Sequence, residues 1–261
     1  MIALVSNLKK YLNNLFNNRG RERLRKALII GVNDYDNIGS LSWCENDAVG
    51  MEQALARNAD GNPNFSVQLL TTNNPMGVKG LQTKEKIRNL FAGDAEVALF
   101  YFAGHGSFNE DMSEGILCLQ DYYHQNENGF IRISDILKYA NESKIRNKII
   151  ILDSCHSGAA GEDRNAKANT STIGDGVTIL TACNKKEGAM ENPMDQHGLF
   201  TGLLLEGLTG GASNILGQVT PGSLYSFIDN ALNVWEQRPV FKTNVSKFIS
   251  LRQNNPLVDP N

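Results

Sequence analysis

After residue 26 the chain is built from short, uninterrupted apolar runs separated by amphipathic or turn-forming segments. The runs ALIIGV at 27–32, EVALFYFA at 96–103, NKIIIL at 147–152 and VTILTA at 177–182, with a further run at 65–71, predict strands buried on both faces. Between them the periodicity predicts helices over 44–57, 83–91, 133–141, 198–208 and 223–235. Asn46 or Asp47 would lie near the start of the first helix, Thr83 would cap the second, and the third would begin near Ser134. Residues 33–39 read as a turn-rich segment, and 107–123 as an irregular or hairpin excursion. Apolar strands alternating with helices imply an α/β fold with a mostly parallel sheet covered on both faces. Ahead of it, Leu4, Leu8, Tyr11, Leu12, Leu15 and Phe16 share one helical face within residues 1–18. A basic stretch at 19–26 follows and reads as a solvated linker, or alternatively as a regulatory arm, a membrane-surface contact or a processing site.

Composition narrows the class. At 261 residues the chain can form one large α/β domain with a substantial core. A net charge of −3 gives no global attraction for nucleic acid or an acidic membrane. No apolar run reaches the roughly 20 residues that span a bilayer. The four cysteines, Cys44, Cys118, Cys155 and Cys183, form no C-x-x-C pair and have no metal-finger spacing, so free thiols and a reducing, cytoplasmic location are expected. No phosphate-binding glycine fingerprint follows a strand, which argues against a nucleotide-binding fold.

In parallel sheets the ligand site lies beyond the carboxyl ends of the strands. There this sequence places Asn33-Asp34-Tyr35 after the first strand, Ala103-Gly104-His105-Gly106 after the third and Asp153-Ser154-Cys155-His156-Ser157-Gly158 after the fourth. A thiol and an imidazole on successive strand ends form a potential nucleophile and base. The amides of Gly106 and Cys155 could then bind an oxyanion. A lone strand-end cysteine is more often an inert small hydrophobe, so it is the pairing with His105 that points to catalysis. His156 is a poor base because neighbouring side chains at a strand end point apart, and His124 and His197 lie outside these motifs with no supported role.

YFAGHG at 101–106 and DSCHSG at 153–158 resemble the two catalytic motifs of metacaspases and their bacterial relatives, within the caspase-like cysteine peptidases. ALIIGVNDY at 27–35, LSWCENDA at 41–48 and HGLFTGLLLEGL at 197–208 extend the resemblance over about residues 26–250. The resemblance implies a caspase-like fold with a six-stranded, mainly parallel sheet. It implies a His105–Cys155 dyad, Gly106 as oxyanion donor, and cleavage of peptide bonds. It divides the chain into an arm at 1–25 and a peptidase domain at 26–261, the latter large-subunit-like over 26–158 and small-subunit-like from 177. True caspases carry a different motif around the nucleophile; here Asp153 stands two before the cysteine, as in metacaspases.

The resemblance further places Asp47 and Asp153 at the mouth of the first specificity pocket, with Cys44 and Ala103 lining it. Two carboxylates there favour Arg or Lys at P1 and repel Asp. The substrates would then be proteins or peptides with exposed Arg or Lys. Residues 159–176 match an intersubunit linker and hold Arg164 and Lys167, candidates for self-cleavage. No cofactor is required for this chemistry. Calcium is a candidate activator through Glu110, Asp111, Glu114 and Asp121, whose hard oxygens suit it. The arm is a candidate contact for a regulatory partner. Two other functional classes remain open: a catalytically silent or partner-gated scaffold on the same fold, and a thiol acyl-transfer reaction other than hydrolysis.

Overall fold

The computed structural model describes residues 24–123, 127–154, 173–182, the backbone of 191–192, and residues 196–232 and 238–258. The expected helix within 1–18, Cys155, His156, His124 and the linker candidates Arg164 and Lys167 lie outside them.

Six strands form the central sheet: β1 (Arg25–Gly31), β2 (Ser66–Thr71), β3 (Val97–Ala103), β7 (Asn147–Asp153), β8 (Val177–Thr181) and β12 (Val240–Asn244). Their order across the sheet is β12-β8-β7-β3-β1-β2. The five strands from β8 to β2 are parallel, and β12 pairs antiparallel with β8. Strands β3 and β7 are buried at every residue, which is why they read as continuous apolar runs.

Alternate residues of the strands feed two cores. On one face Leu28, Ile30, Phe100, Phe102, Ile150 and Leu152 pack under α2 (Gly80–Phe91) and α3 (Ile133–Glu142). On the other, Ile29, Leu99, Tyr101, Ile149, Ile151 and Leu180 pack under α1 (Cys44–Ala56), α4 (Leu199–Glu206) and α5 (Pro221–Ala231). A π-helical turn at Gly207–Gly211 follows α4. The excursion after β3 is an antiparallel three-stranded sheet of β4 (Gly106–Asn109), β5 (Glu114–Cys118) and β6 (Phe130–Arg132). Two small ribbons complete the fold, β9 (Glu191–Asn192) with β10 (His197–Gly198), and β11 (Gln218–Val219) with β13 (Arg252–Gln253).

Several element ends differ from the sequence pattern. Arg25 and Lys26 belong to β1 and not to a solvated basic linker. The Arg25 guanidinium lies 4.3 Å from the Phe65 ring centroid and donates to Asn64 Oδ1 and the Ser250 carbonyl, both at 2.6 Å. Lys26 Nζ donates to the Ala92 carbonyl. Thr83 is no cap: α2 starts three residues earlier, and the Thr83 hydroxyl donates back to the Lys79 carbonyl within the helix. The helix expected to begin near Ser134 starts at Ile133, with no side-chain cap bond from Arg132. Helix α5 starts at Pro221, where Thr220 and Ser223 form a reciprocal capping box, and it ends at Ala231.

Candidate active site

Gly31, Ala103 and Asp153 lie level with one another at the carboxyl ends of β1, β3 and β7. The sheet therefore delivers the backbone after each strand to one edge, as the parallel topology requires. Hydrogen bonds continue past the strands: the Val32 N–H donates to the Ala103 carbonyl and the Gly104 N–H to the Asp153 carbonyl. The turn carrying His105 is thereby fixed to the segment that leads into Ser154 and the nucleophile candidate.

His105 is half-buried and held from three directions. Its N–H donates to the Tyr35 hydroxyl at 2.7 Å, its carbonyl accepts from the Cys118 N–H at 2.9 Å, and the two rings lie 4.9 Å apart. Tyr35 is buried, and burial pushes its phenol well above the ordinary range, so it remains a neutral hydroxyl. A side chain at Gly104 would strike that hydroxyl, its Cβ falling 2.7 Å away, so the glycine before the histidine is required by close approach. His105 Nε2 is 2.8 Å from the Gly39 carbonyl. A carbonyl only accepts, so Nε2 carries the proton and Nδ1 is the basic nitrogen. Gly106, the expected oxyanion donor, follows directly as the first residue of β4.

The two acidic candidates converge. Asp47 is buried in the first turn of α1 and Asp153 is buried at the end of β7. Both point at Gly198, the residue before α4: a Cβ there would lie 3.2 Å from Oδ2 of each. Asp47 does not cap its helix. It accepts His197 Nδ1–H at 2.7 Å through Oδ1 and the Gly198 N–H at 3.2 Å. Asp153 accepts the Thr201 hydroxyl at 2.6 Å and also the Thr201 N–H. Since Thr201 gives its only hydroxyl proton to Asp153, the buried Tyr101 hydroxyl, 2.6 Å from it, is the donor to Thr201. The amino end of α4 thus supplies amides to both carboxylates, a setting that favours negative charge. Burial nevertheless dominates at Asp153 and raises its carboxyl from 3.8 to about 6, against the lowering by Thr201.

Cys44 opens α1 half-buried, and its carbonyl packs against Gly31. Ala103 is buried in register with Asp153, so Cys44 and Ala103 both border this corner. His197 and Thr201 have no assigned role in the sequence pattern, yet each bonds one of the carboxylates. The available signal was their place within HGLFTGLLLEGL, one residue before and three after the glycine that separates the acids.

The calcium candidates are not assembled in this way. Asp121 accepts the Gly80 N–H, Glu114 lies 3.8 Å from Arg132 Nε, and Glu110 and Asp111 occupy the turn between β4 and β5. Among the described residues no group of three His, Cys, Asp or Glu side chains could hold a metal ion. No described helix is long and apolar enough to cross a membrane.

A six-stranded, mostly parallel α/β sheet covered on both faces defines the fold class, and the sequence family agrees. The caspase domain family model matches residues 24–248, and the chain belongs to that family. Its general chemistry is that of a cysteine peptidase. Among solved structures, caspase-1 from Spodoptera frugiperda is similar in fold, with a TM-score of 0.59 at 14% identity, covering 89% of this chain and 91% of that one. No curated protein matches the chain in sequence.

Proposed function

We propose that this chain is a cysteine endopeptidase cleaving after Arg or Lys, with Cys155 as nucleophile and His105 as its base. The observation that supports this reading most directly is the convergence of Asp47 and Asp153 on Gly198 at the edge that carries His105. Two carboxylate oxygens bordering one small space form a receptor for a guanidinium or ammonium group. An Asp side chain would meet like charge there.

His105 Nδ1 takes the Cys155 proton, and the thiolate attacks the carbonyl carbon of the scissile bond. The amides of Gly106 and Cys155 hold the oxyanion, each worth about 3 kcal/mol. The imidazolium then protonates the departing amine, and water, deprotonated by the same nitrogen, releases the thioester as acid. The Gly39 carbonyl keeps the ring in the tautomer these steps need, while Tyr35 holds the backbone that carries it. Cleavage within 159–176 at Arg164 or Lys167 would follow from the same specificity.

The test is hydrolysis of fluorogenic peptides ending in Arg, Lys or Asp by wild type and Cys155→Ala, with calcium and with chelator. Cleavage after Arg and Lys that is lost in the variant is expected. Cleavage after Asp would overturn the pocket assignment. Absence of all cleavage would favour a silent scaffold.

A further inference from the structure

The specificity corner contains a group that the acidic-pocket reading does not use. His197 is 150 residues from Asp47 along the chain, yet its Nδ1 is 2.7 Å from Asp47 Oδ1. The Asp47 side chain is 3% exposed while that of His197 is 28% exposed, so the ring links a buried carboxylate to the surface. The ring lies over α1 at Gly50, where a Cβ would sit 3.4 Å from its Cε1. Its position is also fixed by the backbone, since His197 pairs with Asn192 and Gly198 with Glu191 in the ribbon β9–β10.

We infer that His197 is a positioning residue that sets the basic-P1 specificity by holding the Asp47 carboxylate in one orientation. This inference rests on the proposed preference for Arg or Lys. Oδ1 of Asp47 is engaged by the imidazole, and the Gly198 N–H is shared between its two oxygens. With the ring holding Oδ1, Oδ2 borders the same space beside Gly198 as Asp153 Oδ2, the oxygen that accepts the Thr201 hydroxyl. Two negative groups this close repel one another in a buried site. The imidazole donor offsets that repulsion and opposes rotation of Asp47 away from Asp153, keeping Oδ2 of each acid at the border of the position a shared cation would take. A guanidinium, with two N–H groups in a fixed fork, depends on that alignment more than an ammonium does.

The experiment compares wild type, His197→Ala and His197→Asn on Arg, Lys and uncharged-P1 peptides. For His197→Ala, KM for the Arg peptide rises about tenfold or more with kcat nearly unchanged, the Arg-over-Lys preference shrinks, and uncharged peptides are unaffected. His197→Asn, whose amide can still donate, recovers most of the loss. A KM unchanged in His197→Ala, or a uniform loss in kcat on every peptide, overturns the inference while leaving the basic-P1 reading standing. A wild type without preference for Arg or Lys overturns both. Should His197→Ala fail to fold, the decision passes to Cys155→Ala enzyme with ¹⁵N-labelled histidine. Benzamidine must then shift the His197 ring signals and leave those of His124 in place. Ring signals that do not respond to saturating benzamidine, in enzyme that binds it, overturn the inference.

Discussion

Replacing Asp153 with Asn should make the protein more stable at neutral pH while removing its cleavage after basic residues. The carboxyl is fully enclosed, and its value rises from 3.8 to about 6 because burial penalises the ion more than the Thr201 hydroxyl and amide favour it. A displacement of that size corresponds to about 3 kcal/mol of folding free energy. The sign follows from proton binding. Between pH 4 and 6 the folded protein holds a proton at Asp153 that the unfolded chain has lost. Stability linked to this group is therefore fully present below about pH 4 and is lost as pH rises through about 6. At pH 8 wild type carries the whole penalty. Asn is isosteric, cannot ionise and still accepts the Thr201 hydroxyl, so it avoids the penalty at every pH. Urea denaturation at several pH values, in a Cys155→Ala background to prevent self-cleavage, measures the difference. Asp153→Asn is expected to gain up to about 3 kcal/mol at pH 8, with the gain disappearing near pH 4. A difference between the two proteins that does not change from pH 4 to 8 would refute the reasoning, because it would show that Asp153 ionises normally in the fold.

Tyr35→Phe removes the acceptor of the His105 N–H and leaves that part-buried donor without it. A cost of about 1–3 kcal/mol at the catalytic turn should appear as a loss of roughly tenfold or more in kcat, with the order of P1 preference unchanged; an unaltered kcat would show that the hydroxyl does not hold the turn. Thr201→Val removes the link between Tyr101 and Asp153 and should destabilise the fold at pH 8 by about 2 kcal/mol. Combined with Asp153→Asn in a double-mutant cycle, it should give a non-zero coupling energy by urea denaturation, and additive effects would argue against a connected chain of hydrogen bonds.

The parallel strands were legible because burial on both faces leaves an unbroken apolar run, and the site edge followed from where those runs end. β12 was missed for the converse reason. It is an edge strand, half-buried to exposed, and VFKTN carries neither a continuous apolar run nor a clean alternation. Arg25 and Lys26 looked like solvated charge, but their side chains reach carbonyls 225 and 66 residues further along the chain, contacts that no local pattern encodes. The acids Asp47 and Asp153 were visible through motif resemblance. Their partners His197 and Thr201 were not, since their roles exist only once α4 is brought against α1 and the end of β7. The start of α5 was a local miss: Thr220, Pro221 and Ser223 spell a capping box that the hydrophobic pattern alone ignores.

The corner around Gly198 also explains why an unfavourable charge is built into a well-packed domain. Asp153 ends a strand buried at every residue, a position where an apolar residue would stabilise the fold more. The protein surrounds it with Thr201, Tyr101 and the amino end of α4, which reduce the cost without abolishing it, as the value of about 6 records. On the proposed reading the remainder is offset only when a substrate cation lies between Asp153 and Asp47. The energy withheld from folding is then available for recognition, and it is available only to a positively charged side chain. On that reading the same arrangement separates specificity from catalysis. The acids hang from α1 and β7 and are trimmed by α4, while His105 is held by Tyr35 and Gly39 from the other side of the edge. Substitutions at the carboxylates should therefore alter which bond is cut before they alter how the bond is cut.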